Sequence, residues 1–260
     1  MDARSWSRVA VAGLALAGAG LLVTFLAGFG YHHGWWSLRL AFGRRLLGLP
    51  LLGVLPIGTL LAMLGALLSL AGIVHALRAH VGGVAFGAVG FVVGVVPSVM
   101  VLHQYRLART VPPINDISTD LQNPPPYVAA AANEFWKGKE MSYPAGFADS
   151  VRRGYPDLAA LALPIPAGRA FGVAHRTAAG MPAWEITAID SAAGRIEATA
   201  TTRWFGFKDD IVIRVTPRGT DSSVVDMRSK SRVGKSDVGA NAARIRTYLA
   251  ALARAAGRSP

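Results

Sequence analysis

Three long stretches of the chain carry no Asp, Glu, Lys or Arg: Val9 to Leu38, Leu46 to Ala76 and Val81 to Leu102. Each is rich in Ala, Gly, Leu, Val and Phe, and each reaches the roughly 20 apolar residues that a helix needs to cross a bilayer core. The pattern predicts three transmembrane helices, spans 9–30, 47–75 and 81–102, within a membrane region 1–110. Pro50 and Pro56 fall in the first turns of the second span, where a kink or late start is tolerated. Arg4 and Arg8 resemble the basic start of a signal peptide. The absence of a distinct small-x-small cleavage site, and the spans that follow, favour an anchor.

After Arg109 prolines, polar residues and acids enter, and the period of the apolar positions shortens. Residues 111–260 read as one soluble domain. Residues 111–127 are extended and proline-rich, and Val128 to Lys137 is a short helix. Further helix is expected over Ala148 to Gly154 and Pro166 to Ala179, with Phe171, Ala174, Ala178 and Met181 on one face. Strands follow at Trp184 to Asp190, Arg195 to Trp204, Asp210 to Thr216 and Ser223 to Lys230, separated by turns at Ser191–Gly194 and Pro217–Gly219. Asp237 to Ala255 closes the chain as an amphipathic helix. The expected class is α+β: three transmembrane helices, then a four-stranded antiparallel meander sheet covered by helices on one face.

Charge sharpens this division. Residues 1–110 hold eight arginines and one acid, Asp2, whereas 228–258 hold eight basic groups against Asp237 alone. The formal charge of +12 therefore comes from the membrane flanks and one C-terminal segment. No nucleic-acid motif accompanies it, so no nucleic acid is expected as partner. With 16% charged residues and a mean hydropathy of +0.36, the chain is neither disordered nor an ordinary soluble globule. No cysteine means no disulfide, thiolate metal site or cysteine nucleophile. Arg39, Arg44, Arg45, Arg106 and Arg109 share a side with the C-terminus, against Arg4, Arg8 and Arg78, a margin that leaves both topologies open. Tyr31, Trp35, Trp36 and Tyr105 form an interfacial belt on that C-terminal side, with His32, His33 and His103 as solvated neighbours.

In the third span Gly83, Gly87, Gly90 and Gly94 share one helical face. Small residues let helices approach closely in lipid. The face suits packing within the bundle, with a homo-oligomer contact as the alternative.

The densest polar text is Arg228 to Ile245, which runs from a strand through a glycine-bearing loop into a helix. Gly234-Lys235-Ser236 resembles the end of a P-loop, but Ser229 stands where the first glycine belongs, and the strand closes a meander. Nucleotide hydrolysis is therefore rejected. Free N–H groups at a helix start attract anions, and Arg228, Ser229, Arg232, Lys235, Ser236, Asn241 and Arg244 are the candidate anion-binding residues. The competing reading has Ser236 or Asp237 capping the helix and the basic residues paired with Asp209, Asp210 and Asp226. Asp226, Arg228 and Lys230 alternate on one sheet face, for the most part a solvated one; Asp226 beside Arg214 would instead be a buried ion pair. Asn115, Asp116, Ser118, Thr119 and Asp120 carry side-chain oxygens ahead of Pro124-Pro-Pro-Tyr127, a chance match to a WW-domain ligand. A calcium site at Asp116 and Asp120 lacks a glycine-punctuated loop and a glutamate, so no metal and no cofactor are expected. His175 has no local partner for a Ser-His-Asp arrangement.

These stretches also carry a resemblance. The Asn115–Asp120 segment with its prolines, Gly206-Phe-Lys-Asp-Asp-Ile211, and the closing motif from Arg228 to Ile245 resemble the domain-of-unknown-function family number 1499 over about residues 111–255. The resemblance implies a bacterial, membrane-tethered domain, often on the far side of the membrane, and no established activity. The leading expectation is a multi-pass inner-membrane protein of the bacterial envelope, displaying a binding domain for an anionic lipid headgroup or an envelope protein. The rivals are a membrane-proximal enzyme using Asp116, Asp120, Asp209, Asp210 and Arg228, and a structural subunit of an envelope assembly.

Overall fold

The computed structural model describes residues 5–46 and 49–257. The chain divides into two compact units. One comprises Met1–Arg106 together with Trp204–Gly206, and the other comprises Leu107–Arg203 with Phe207–Pro260.

The first unit is built on three apolar helices long enough to cross a membrane. Helix α1 spans Arg8–His32. A short helix α2 (Leu38–Phe42) then leads into an antiparallel pair, β1 (Gly43–Leu46) and β2 (Leu49–Leu52). Helices α3 (Val54–Arg78) and α4 (Val84–Thr110) complete the unit. The second helix thus starts at Val54, after the expected 47, because Leu49–Leu52 pairs as a strand and Gly53 sits at the N-cap. Pro56 then lies in the first turn, where its missing N–H is not needed.

A run of small residues on each of two helices governs this unit. Buried residues recur on α1 at Ala10, Gly13, Ala17, Gly20, Thr24 and Ala27, and on α3 at Gly58, Ala62, Gly65, Ser69, Gly72 and Ala76. Both runs alternate steps of three and four, the spacing of one helical face. The helices interlock along them with almost no side chain between the backbones. A methyl added to Gly20 would overlap Ala62, one on Gly65 would overlap Ala17, and one on Gly72 would overlap Ala10. On α4, Gly87, Gly90 and Gly94 are buried against Ile73, Ser69, Leu14, Ala62 and Ala66 of the same chain. Gly83 lies before the helix, with φ of +122°.

The second unit is an α+β domain whose sheet has six strands, two more than the sequence pattern predicted. They are β3 (Asp116–Ser118), β4 (Leu161–Leu163), β5 (Trp184–Asp190), β6 (Arg195–Thr201), β7 (Lys208–Pro217) and β8 (Ser223–Ser231). The last four form the expected antiparallel meander. Strand β8 is interior, because β3 pairs with its Arg228–Lys230 stretch and β4 with its Ser223–Val225 stretch. Both added strands have three residues, too short for an alternating pattern to show. The expected helix at 128–137 is mostly turns, with a single 3-10 turn at Glu134–Trp136. Helices α5 (Phe147–Gly154), α6 (Ala167–Ala179) and α7 (Ala240–Ala255) supply the remainder.

Alternation along the strands builds the core. Ile117, Ile196, Ala198, Ile211, Ile213, Val225 and Met227 pack with Ala170 and Ala174 of α6 and Ile245, Tyr248 and Leu252 of α7. Tyr248 stacks on Trp184 and donates its hydroxyl to Ala174 O, tying the two helices together. The opposite sheet face is also covered: Tyr127, Ala130 and Met141, from the segment between β3 and α5, close over Val212.

Because the α1–α3 interface admits no side chain at Gly65, Gly65→Leu should destabilise the bundle by about 1–3 kcal/mol through overpacking. Ser69→Ala, which removes a buried hydroxyl without a partner, should change stability by no more than about 0.5 kcal/mol. Thermal unfolding in detergent checks both.

Candidate functional site

The strand registers bring the polar motifs together. Asp116, Lys230, Asp210 and Thr199 lie in one row across β3, β8, β7 and β6. The adjacent row holds Ser118, Arg228, Val212 and Glu197, and the next holds Asp226, Arg214 and Arg195. All point away from the helices. The sequence reading takes most of this face as solvated. Instead it is buried beneath the 119–143 segment: Asp116 and Asp210 are 0% exposed, Arg228 2% and Lys230 8%.

Burial of so many charges is tolerable only because each is paired. Arg228 grips Asp116 with two parallel bonds, Nε to Oδ1 at 2.9 Å and Nη2 to Oδ2 at 2.7 Å. Lys230 Nζ adds a third at 3.0 Å. The remaining Arg228 donors reach the Pro125 and Met141 carbonyls, and the guanidinium lies over the Tyr127 and Tyr143 rings. One arginine therefore joins two strands to both ends of the covering strap. Asp210 accepts from Trp136 Nε1, Thr199 Oγ1 and two nitrogens of Arg232. Glu197, which sequence reasoning missed, accepts the N–H groups of Val128, Ala129 and Ala130 at 2.8–2.9 Å. The signal for it was a lone glutamate at a polar position of β6. Arg214 binds Asp120 and Asp226, the buried pair considered above.

The seven expected anion-binding residues do not form one site. Strand alternation sends Arg228 to the strap face and Ser229 to the helix face. There Ser229 donates to Asn241 Oδ1 and accepts from Arg244, which pairs with Asp209. Asn241 also donates to Ser231 Oγ and to the Asn115 carbonyl, while the Asn115 side chain reaches Gly234 O. Arg232 belongs to Asp210. Ser236 accepts from Val238 N, and Asp237 accepts from Gly239 N and Asn241 N at the start of α7. Lys235 is exposed. Tyr127 of the Pro-Pro-Pro-Tyr run is buried, with its hydroxyl on Asp210 O, so it is unavailable as a WW-domain ligand. Ser118 Oγ donates to Asp120 O within a local turn, whereas Thr119 Oγ1 accepts from Met227 N on β8. Asp116 and Asp120 face different arginines, and among the described residues no three His, Asp or Glu converge as a metal site. A cleft of about 370 Å³ lies between the first turn of α6, the Ser191–Gly194 turn and the end of β7, where Arg214 of the network lines it. Its lining contains no Asp, Glu or His.

A family model described as protein of unknown function (DUF1499) matches residues 116–252. The chain belongs to the DUF1499 family. No curated protein and no solved structure matches it. The match begins at Asp116, the acid that Arg228 and Lys230 share, and ends in α7, so the DUF1499 domain contains the whole charge network.

Several groups of the DUF1499 domain titrate away from their ordinary ranges. Burial raises Asp226 and Asp237, against the opposing pull of Arg214 on the first and of the Gly239 and Asn241 N–H groups on the second. Burial acts to raise Asp120 too, but the Asn123 and Gln122 N–H groups and Arg214 outweigh it and hold that carboxyl low. A carboxyl raised in the folded state holds its proton more tightly there than when unfolded. Asp226 and Asp237 therefore lose their favourable contribution as pH rises from the ordinary 3.8 through their raised values. Asp120 contributes above 3.8 and loses that contribution as pH falls through its lowered value. Carboxyl-detected NMR titration should order the midpoints as Asp120 below Asp226 and Asp237. Arg228→Met should destabilise the domain by about 3–5 kcal/mol, because it strips a buried carboxylate of its bidentate partner. Protease susceptibility of residues 116–252 in the full chain, followed in urea, measures that loss.

Proposed function

We propose that this DUF1499 chain is a multi-pass inner-membrane protein that holds a binding domain, rather than a catalyst, on the periplasmic side. One observation carries the reading. The candidate acids Asp116, Asp120, Asp209 and Asp210 are each paired with a base, and neither they nor Arg228 line the cleft beside α6, whose charged lining residue, Arg214, is itself held by Asp120 and Asp226. A general acid or base must reach a substrate proton, and a carboxylate at 0% exposure held by an arginine and a lysine does not. The three apolar helices support membrane residence, and the family resemblance supports the far side. The arginine count runs the other way by five to three, a small margin for a long translocated domain.

Two measurements test this. A periplasm-active phosphatase fused to the C-terminus should be active and a fluorescent reporter there dark; the reverse pattern would put the domain in the cytoplasm. In a deletion strain, Asp116→Asn, Asp210→Asn and Arg214→Met should lose function only in proportion to the loss of folded protein. A variant folded to wild-type level that fails to restore function would show that the residue acts beyond holding the fold, against this reading.

A further inference from the structure

The two faces of the DUF1499 sheet are covered in different ways. On the helix face, twenty buried residues pack as one apolar cluster among the described residues. On the other face, Tyr127, Ala130 and Met141 of the strap gather around Val212. The strap's rings otherwise lie over cations, Tyr127 and Tyr143 over Arg228 and Trp136 over Lys230. Its backbone–backbone bonds close local turns, from Ala132 N to Val128 O through to Lys139 N to Trp136 O. Side chains tie it to the sheet. Arg228 reaches the Pro125 and Met141 carbonyls, Glu197 accepts the N–H groups of residues 128–130, and Trp136 Nε1 and the Tyr127 hydroxyl reach Asp210. Both ends of the strap are fixed. Thr119 N donates to Met227 O and Asp120 is held by Arg214, while α5 starts at Phe147 and its Val151 belongs to the helix-face cluster.

The ion pairs beneath the strap are internal to the sheet. Asp116 on β3 meets Arg228 and Lys230 on β8, Asp210 on β7 meets Arg232 just after β8, and Asp226 on β8 meets Arg214 on β7. Glu197 has Arg195 of its own strand at 3.5 Å. Lifting the strap therefore strips no charge of its charged partner. What the strap withdraws is a set of neutral donors and acceptors, which water replaces at little net cost. A segment with few buried apolar contacts opens before the elements that hold the core. We infer that residues 121–143 are a lid that swings off the sheet as one unit, about Asp120 and Pro144, while the sheet and its helices stay folded. Opening presents to solvent the Arg228 donors and the Glu197 carboxylate that grip the strap backbone in the closed form. Asp116 and Asp210 become wet but stay held by their bases, so the lid uncovers a polar surface rather than a general acid or base. The inference goes beyond the binding reading and does not depend on it.

The chain contains no cysteine, so one substitution places a single thiol in the full-length protein. Val212→Cys lies under the strap and Val225→Cys under the helices, and both valines are 0% exposed. Reaction with N-ethylmaleimide in detergent, without denaturant, then reports the opening of each face. Position 212 should react at least about tenfold faster than position 225. Ile245→Val, which loosens the helix-face core, should speed position 225 about two- to tenfold and leave position 212 unchanged, because α7 stays packed when the lid opens. Two results would overturn the inference: position 212 reacting as slowly as position 225, or accelerating together with it in Ile245→Val. Either would mean that the strap leaves only when the whole domain unfolds. Protease resistance of residues 116–252 confirms that each variant is folded, and Ala130→Cys against Ala198→Cys repeats the comparison with a smaller change at each face. A lid that fails this test leaves the deletion-strain result untouched, and the reverse also holds.

Discussion

The buried pair between Asp116 and Arg228 is the interaction on which the domain turns. Asp116 opens the first strand of the sheet, and Arg228 lies 112 positions later on the strand beside it. An isolated charge at that depth would be prohibitive. The two must therefore arrive together, and the strap must follow, since its Pro125 and Met141 carbonyls take the guanidinium donors that Asp116 leaves over. The same logic repeats outward. Asp210 needs Arg232 and Trp136, and Glu197 needs the backbone of residues 128–130. Hydrophobic burial makes the domain compact, but these pairs dictate which strap conformation can close the face. A buried salt bridge contributes less to net stability than to the choice among packings.

The membrane unit works under the opposite constraint. Lipid offers no hydrophobic drive for helix association, so close backbone approach must supply it through dispersion. The facing runs of Gly, Ala, Ser and Thr on α1 and α3 provide that approach, and the glycines of α4 extend it to the third helix. Larger apolar side chains such as Leu22, Phe25, Leu64 and Leu67 are left on the outside, where lipid would solvate them.

The network also explains why a motif rich in chemical groups carries so little chemistry. Arg228, Arg232 and Arg244 read along the chain as a basic cluster beside a helix start. Folded, each meets its own carboxylate, two under the strap and one on the helix side.

The sequence by itself determined the three apolar helices, the α+β class, the four-strand meander and the helices α5, α6 and α7. These follow from local periodicity and turn chemistry, which act over a few residues. It did not reveal β3 and β4, because three-residue strands carry no period. Nor did it reveal that Arg228 and Ser229 belong to different sites, or that the polar sheet face is covered. Both depend on which strand lies beside β8 and on where the strap returns, contacts separated by about a hundred residues. Only the tertiary structure decided whether those charges face water or one another, because burial is a property of the neighbours a side chain acquires on folding and not of its own sequence position.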